Sequence, residues 1–229
     1  MVEQQGELEQ GFFLCFVGPA ASGKGVITRH LLEKYPEDLS LAVSSTSREP
    51  RPGEIEGVHY SFLSREQFKA EIERGAFFEW EETHGNLYGT PQKWIDLVVD
   101  AGQRVLLDID VRGARHFRET FPDHFCGVLL LPPSISVLIE RMRARGGVDE
   151  AELSVRLETT EREFGDFDKA LEEGVFQHVV VNDVMSEAFQ TAEDIFFRRR
   201  APLQAEQLEG ERRRMLELLA ELKAERGER

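Results

Sequence analysis

The sequence predicts a three-layer α/β fold, a parallel sheet covered by helices on both faces. Three observations carry this. Short apolar runs of strand length recur at Phe12 to Val17, Leu41 to Ser44, Arg104 to Ile109, Cys126 to Leu131 and Phe176 to Val181. Amphipathic stretches fill most of the intervals, and strands alternating with helices build parallel sheets buried on both sides. A glycine-rich turn also joins the first apolar run to the first amphipathic stretch.

In chain order, the helical pattern covers Lys24 to Tyr35, Pro91 to Ala101, Arg112 to Thr120, Ser134 to Arg145, Asp149 to Asp168 and Ser186 to Arg199. Thr90-Pro91 reads as a cap followed by proline at the first helical position. Two segments interrupt the alternation. Residues 48–90 hold Tyr60, Phe62, Phe68, Phe77, Phe78, Trp80 and Tyr88 among scattered glycines, the composition of a small inserted mixed subdomain. Residues 141–156 surround Gly146-Gly147 and are dense in arginine. From Arg198 onward nine basic and seven acidic residues give a charged helix, whose Leu208, Met215, Leu218 and Leu222 fall near a heptad seam. That seam either packs on the chain's own core or pairs two chains as a homodimer.

Composition bounds the partners. The 28 basic and 43 acidic side chains leave a formal charge of -15, a field that repels DNA and anionic membranes. Cys15 and Cys126 each lie in an apolar run with no metal-ligand spacing, as buried thiols of a reducing compartment do. Residues 1–11 form a polar, acidic extension without the features of a secretory signal, and no apolar run approaches the ~20 residues of a membrane span. A cytoplasmic protein is expected.

The chemistry is most legible at Gly18-Pro19-Ala20-Ala21-Ser22-Gly23-Lys24, which satisfies G-x-x-x-x-G-K between a strand and a helix. Backbone N–H groups of such a loop point at phosphates, the helix N-terminus adds partial positive charge, and Lys24 reaches the oxygens where charge grows during transfer. Gly25 and Val26 stand where Ser or Thr normally offers a hydroxyl to Mg²⁺. Magnesium keeps several waters and is readily held by substrate phosphates, so the departure alters a detail of the site.

After the loop come Ser44 to Glu54 (SSTSREPRPGE), His59-Tyr60, Phe78-Glu79-Trp80, Gly85 to Thr90 (GNLYGT) and Leu107-Asp108-Ile109-Asp110. Several motifs in this one order resemble the guanylate kinase family, over about Phe12 to Phe197. The resemblance implies a P-loop kinase core over 12–197, with 48–90 as a mixed α+β GMP-binding subdomain, 141–156 as an arginine-rich lid and 198–229 outside it. It implies transfer of the γ-phosphoryl group of ATP to GMP, and to dGMP, with Mg²⁺ bound alongside ATP. The alternatives are a non-catalytic interaction module of the same fold, or a kinase for a different phosphorylated acceptor.

Residue by residue, the resemblance places ATP on the loop 18–26 with Arg141, Asn182 and Asp183. It places GMP on Ser44, Arg48, Arg51, Tyr60, Glu79, Tyr88, Thr90 and Asp110. Catalysis falls to Lys24, Arg51, Arg145 and Arg156, and Asp108 holds the metal directly or through water. The residue chemistry agrees. Guanine offers N1–H and an exocyclic amine side by side, which suits one carboxylate such as Glu79, while its O6 needs a donor such as the Ser44 or Thr90 hydroxyl. Arg48 and Arg51 can clamp a monophosphate to which Tyr60 and Tyr88 donate hydroxyls. Arg141 and Arg145 share a helix face at i,i+4 spacing, and with Arg156 they form a cationic group suited to a polyanion.

Overall fold

The computed structural model describes residues 11–83, 85–144 and 149–227. Among them are nine strands and eight helices: β1 (Phe12–Val17), α1 (Lys24–Lys34), β2 (Leu39–Leu41), β3 (Ser45–Thr46), β4 (Ser61–Phe62), α2 (Arg65–Glu73), β5 (Phe77–Thr83), β6 (Asn86–Pro91), α3 (Lys93–Val99), β7 (Arg104–Leu107), α4 (Val111–Thr120), β8 (Phe125–Leu131), α5 (Ile135–Ala144), α6 (Glu150–Glu172), β9 (His178–Val181), α7 (Met185–Phe196) and α8 (Ala205–Glu225).

Five strands form a parallel sheet in the order β2-β7-β1-β8-β9, and four form a mixed sheet in the order β4-β3-β6-β5. All six residues of β1 are buried, as a central strand of a parallel sheet requires, and β8 is buried at every position but Cys126. The chain divides into two compact units, one of residues 1–13 and 37–107, the other of 14–36 and 108–229.

In the first unit, β2 pairs with β7 through Leu39↔Arg104 to Leu41↔Leu106, and the mixed sheet follows. It runs from Ser45 to Pro91. The expected strand at Leu41 to Ser44 splits: β2 ends at Leu41 and β3 begins at Ser45, because the apolar run spans the passage between two sheets. Thr90 and Pro91 are strand residues too. They end β6, Pro91 opposite Phe77, and α3 begins at Lys93, so Thr90 does not cap a helix. Under β6, Gly89 admits no side chain, since a Cβ would stand 2.9 Å from the Phe77 ring and 3.0 Å from that of Phe68. α2 begins in a capping box between Ser64 and Gln67.

In the second unit two helices start on acidic caps, of which Asp149 already opened the helical pattern in the sequence. Asp110 caps α4 by accepting from Gly113 N, and Asp149 caps α6 by accepting from Glu152 N. α8 runs antiparallel to α6: Arg212 pairs with Asp168 and Glu172, and further along Arg226 pairs with Glu161 and Glu158. Met215, Leu218 and Leu222 are buried within the chain, so the apolar seam of the tail packs on its own core. No helix among the described residues is long and apolar enough to cross a membrane. Both cysteines are free; burial pushes the Cys15 thiol far up and that of half-buried Cys126 to about 12, so both stay protonated. Of the N-terminal extension, residues 1–10 lie outside the described residues.

Candidate active site

The phosphate loop belongs to the second unit. It leaves β1 at Gly18, where a Cβ would stand 2.2 Å from the Leu130 carbonyl oxygen, so only glycine lets the backbone pass β8 this closely. Ser22 N donates to Pro19 O at 3.1 Å and tightens the turn. Gly23 then adopts φ 106°, and a Cβ there would stand 2.2 Å from the Asn182 amide nitrogen. That nitrogen donates to Ser22 O at 2.8 Å. The two fixed glycines of the motif thus answer to two carbonyl and amide neighbours. Ala21 takes φ 64° in the left-handed region without being glycine.

Within the loop, Pro19 is buried, Ala20 exposed, and Ser22 fully buried with its hydroxyl turned away from solvent. Gly25 and Val26 are exposed, and the first turn of α1 has no side-chain cap. Half-buried Lys24 donates its ammonium to the Gly18 carbonyl. With Gly18, Asp110 and residues of α6 it lines a cavity of about 370 Å³.

Other expected residues of this unit take varied positions. Asp108 follows β7 and is exposed. Asp110, expected beside GMP, accepts from Gly113 N at 2.9 Å and lines the same cavity as Lys24. Arg141 is half-buried, and its Nη1 has no hydrogen-bond partner among the described residues. Arg156 pairs with Glu152, one turn earlier in α6, at 2.6 Å. Arg145 and the Gly146-Gly147 pair lie outside the described residues. Asn182 is fully buried as a brace of the loop, while Asp183 is exposed and does not cap α7, whose N-cap is Val184.

The first unit holds most of the expected acceptor residues, and three of them, Glu79, Tyr88 and Thr90, stand on strands of the mixed sheet. Glu79 and Thr90 are register partners of β5 and β6, and the Thr90 hydroxyl donates to the Glu79 carboxylate at 3.2 Å. Across β3 and β6, Thr46 faces Tyr88. The Arg48 guanidinium lies 5.5 Å from the Tyr60 ring centre and 5.8 Å from that of Phe62, with Tyr60 and Tyr88 edge to face at 6.1 Å. Ser44 is half-buried and spends its carbonyl on Ser61 N; Arg51 is exposed.

Glu54 is the residue the sequence reading passed over. It takes both ends of the Arg48 fork at 2.9 Å and accepts from Arg51 N at 2.7 Å. The Arg48 guanidinium foremost, then the Arg51 N–H, hold the Glu54 carboxyl at about 2. The signal was the Pro52-Gly53 turn, where Gly53 at φ 87° brings Glu54 back to Arg48. Thr46 and Ser47 were missed as well; their hydroxyls bond Leu87 O and Leu87 N and fix β6 beside the Arg48 turn.

The chain is similar to known proteins over most of its length. The family profile described as guanylate kinase matches residues 12–199. The chain is 36% identical to the guanylate kinase of Idiomarina loihiensis over 199 residues, covering 86% of this chain and 91% of that protein. It is 41% identical to that of Synechococcus elongatus over 187 residues, 82% of this chain and 98% of the relative. Among solved structures, guanylate kinase from Anaplasma phagocytophilum superposes with a TM-score of 0.60 at 28% identity, covering 87% of this chain and 90% of that one.

Proposed function

The chain belongs to the guanylate kinase family, and from that membership we infer that it transfers the γ-phosphoryl group of ATP to GMP, releasing ADP and GDP. The observation that carries the residue-level reading is the Glu79–Thr90 pair, a carboxylate and a hydroxyl side by side on one sheet face. This is the acceptor and donor set that a guanine edge needs. Adenine would leave Glu79 without a donor at N1, and a carboxylate stranded on desolvation is costly.

Arg48, Tyr60 and Tyr88 take the phosphate of GMP, with Glu54 keeping the Arg48 fork in place, and dGMP offers the same base and phosphate to this set. Arg51, with Ser44 and Asp110, completes the acceptor side. ATP lies on 18–26 with Arg141, Asn182 and Asp183. A GMP phosphate oxygen attacks the γ-phosphorus in line, the bond to the ADP oxygen breaks, and no covalent enzyme intermediate forms. Lys24, Arg51, Arg145 and Arg156 stabilise the charge on the transferring group.

ATP enters as its magnesium complex. Among the described residues no three acids, imidazoles or thiols gather to hold a metal, and Gly25 offers no hydroxyl. That donor set fits an ion carried by the nucleotide phosphates, with Asp108 supplying an oxygen directly or through water. A cytoplasmic setting without DNA or membrane partners is supported by the charge of -15 and two protonated thiols. A homodimer through α8 would have to use its outer face, since Met215, Leu218 and Leu222 are already buried.

ADP release measured across GMP, AMP, CMP and UMP tests the reading. GMP is expected to be preferred, and Glu79→Gln to lower kcat/KM for GMP by about 100-fold while leaving the KM for ATP unchanged, since an amide turns only one acceptor toward two donors. Equal turnover of AMP, or unchanged GMP kinetics in the variant, would remove Glu79 as base reader.

A further inference from the structure

We propose that Glu163 is a positioning residue for Lys24: its carboxylate anchors one N–H of the ammonium so that another is aimed at the nucleotide phosphate. The proposal rests on the phosphate-loop reading given above and adds to it a residue that none of the loop motifs contains. Gly18, Lys24, Asp110, Arg162, Glu163 and Asp166 line one cavity of about 370 Å³ in the second unit. Glu163 projects from α6 seven residues after Arg156, hence on the same helix face two turns on.

Of the three acids, Glu163 alone needs a partner. Asp110 and Asp166 are both exposed to water, and Asp110 also accepts from Gly113 N. Glu163 Oε2 is buried and has no hydrogen-bond partner among the described residues. Burial pushes the Glu163 carboxyl up, Lys24 is the cation that pulls it back, and Asp110 and Asp166 push it up again. A buried carboxylate oxygen without a donor is costly, and the ammonium in the same cavity is the donor at hand. An ammonium carries three N–H groups, enough for the Gly18 carbonyl, a carboxylate and a phosphate oxygen at once.

The helix that presents Glu163 is held on either side of it. Arg226 pairs with Glu161, two residues before Glu163, and Arg212 pairs with Asp168 beyond it, so α8 fixes that stretch of α6. A carboxylate beside the phosphates is also a like charge. Its removal relieves some repulsion of ATP while loosening the lysine, which separates its effect on turnover from its effect on binding.

The test is Glu163→Gln in the full chain, with kcat, both KM values, ATP affinity by calorimetry and Tm. Expected is a fall in kcat of about tenfold or more, ATP affinity unchanged or tighter, an unchanged KM for GMP and a wild-type Tm. Glu163→Asp, which keeps the charge, should recover part of the loss. In a Lys24→Ala background the same substitution should change residual turnover by less than about twofold, because the two act as a unit. A kcat within about twofold of wild type overturns the proposal, as does a loss accompanied by equally weakened ATP binding, or one repeated in full without Lys24. Should Glu163→Gln not fold, Glu163→Asp with the Lys24→Ala background decides by the same criteria. Wild-type turnover of Lys24→Ala alone would instead strike the phosphate-loop reading, and the proposal with it.

Discussion

The side-chain amide of Asn182 lies 2.8 Å from the carbonyl oxygen of Ser22, joining the residue after β9 to the turn before α1. The same amide nitrogen is what a Cβ at Gly23 would strike. Shape and hydrogen bonding therefore set the loop together, and both are fully buried. Asn182→Ala would leave Ser22 O without its donor, a loss of about 1–3 kcal/mol. Urea denaturation should show that loss, and the KM for ATP should rise while that for GMP holds. Equal changes in both KM values would mean that the brace supports the fold at large.

Ala21 carries the opposite kind of constraint. Its φ of 64° is left-handed, where a Cβ costs roughly 1–2 kcal/mol. Ala21→Gly removes that strain but gives the unfolded chain more freedom, which takes back about 0.4–1 kcal/mol. The net expectation is a gain of about 0.5–1 kcal/mol, visible as a Tm higher by about 1–4 °C in a domain of this size. A lower Tm in Ala21→Gly would show that the strain is relieved elsewhere in the loop.

Much of this was legible because its chemistry is local. The loop 18–24 needs glycines at fixed steps between a strand and a helix, and the strand run before it is apolar at all six positions, so pattern and structure coincide. The mixed sheet was legible only as a region. β3 and β4 are two residues long, too short to show alternation, and their partners lie far along the chain, as Thr46 facing Tyr88 illustrates. Thr90-Pro91 looked like a helix start because proline suits the first helical turn equally well as the end of a strand. Asn182 was legible as a nucleotide-site residue but not as a brace of the loop, because the carbonyl it holds belongs to Ser22, 160 residues away.

Glu193 makes acid stability predictable. It sits nearly buried on α7 and accepts from Lys34 at 2.6 Å, His30 at 2.7 Å and Tyr35 at 3.0 Å, with His30 stacked on Phe189. Burial alone would raise its carboxyl, yet the bonds from Lys34, His30 and Tyr35 outweigh it and hold the group at about 2, below the ordinary 4.5. A carboxyl lowered on folding contributes stability that is fully present above the unfolded value and is lost as pH falls through the folded one. The contribution should therefore fade from just above 4.5 down to about 2. Glu193→Gln is expected to lower stability at neutral pH and to match the wild type near pH 2. Denaturation midpoints measured from pH 7 downward decide it, and a difference that stays constant with pH would place the effect in packing.

Gly25 poses the question of how magnesium is held, and the structure removes one objection to testing it. The residue is exposed, its φ lies outside the left-handed region, and nothing stands within 4 Å of a Cβ placed there. Gly25→Ser should therefore fold as the wild type does, and slightly better, since glycine inside a helix costs about 0.5–1 kcal/mol relative to alanine and serine lies between them. The new hydroxyl stands one residue after Lys24, where phosphate loops normally supply a ligand to the ion. On the reading proposed above, the ion of the wild type depends on ATP oxygens, water and Asp108, so its apparent affinity should follow the nucleotide and ignore the loop. Titrating Mg²⁺ at fixed ATP, with turnover and calorimetric binding read in parallel, separates the accounts. A lower magnesium requirement in Gly25→Ser is the expected result. Superimposable titrations of two equally active proteins would show that the position has no part in holding the ion, and that nucleotide and solvent oxygens suffice.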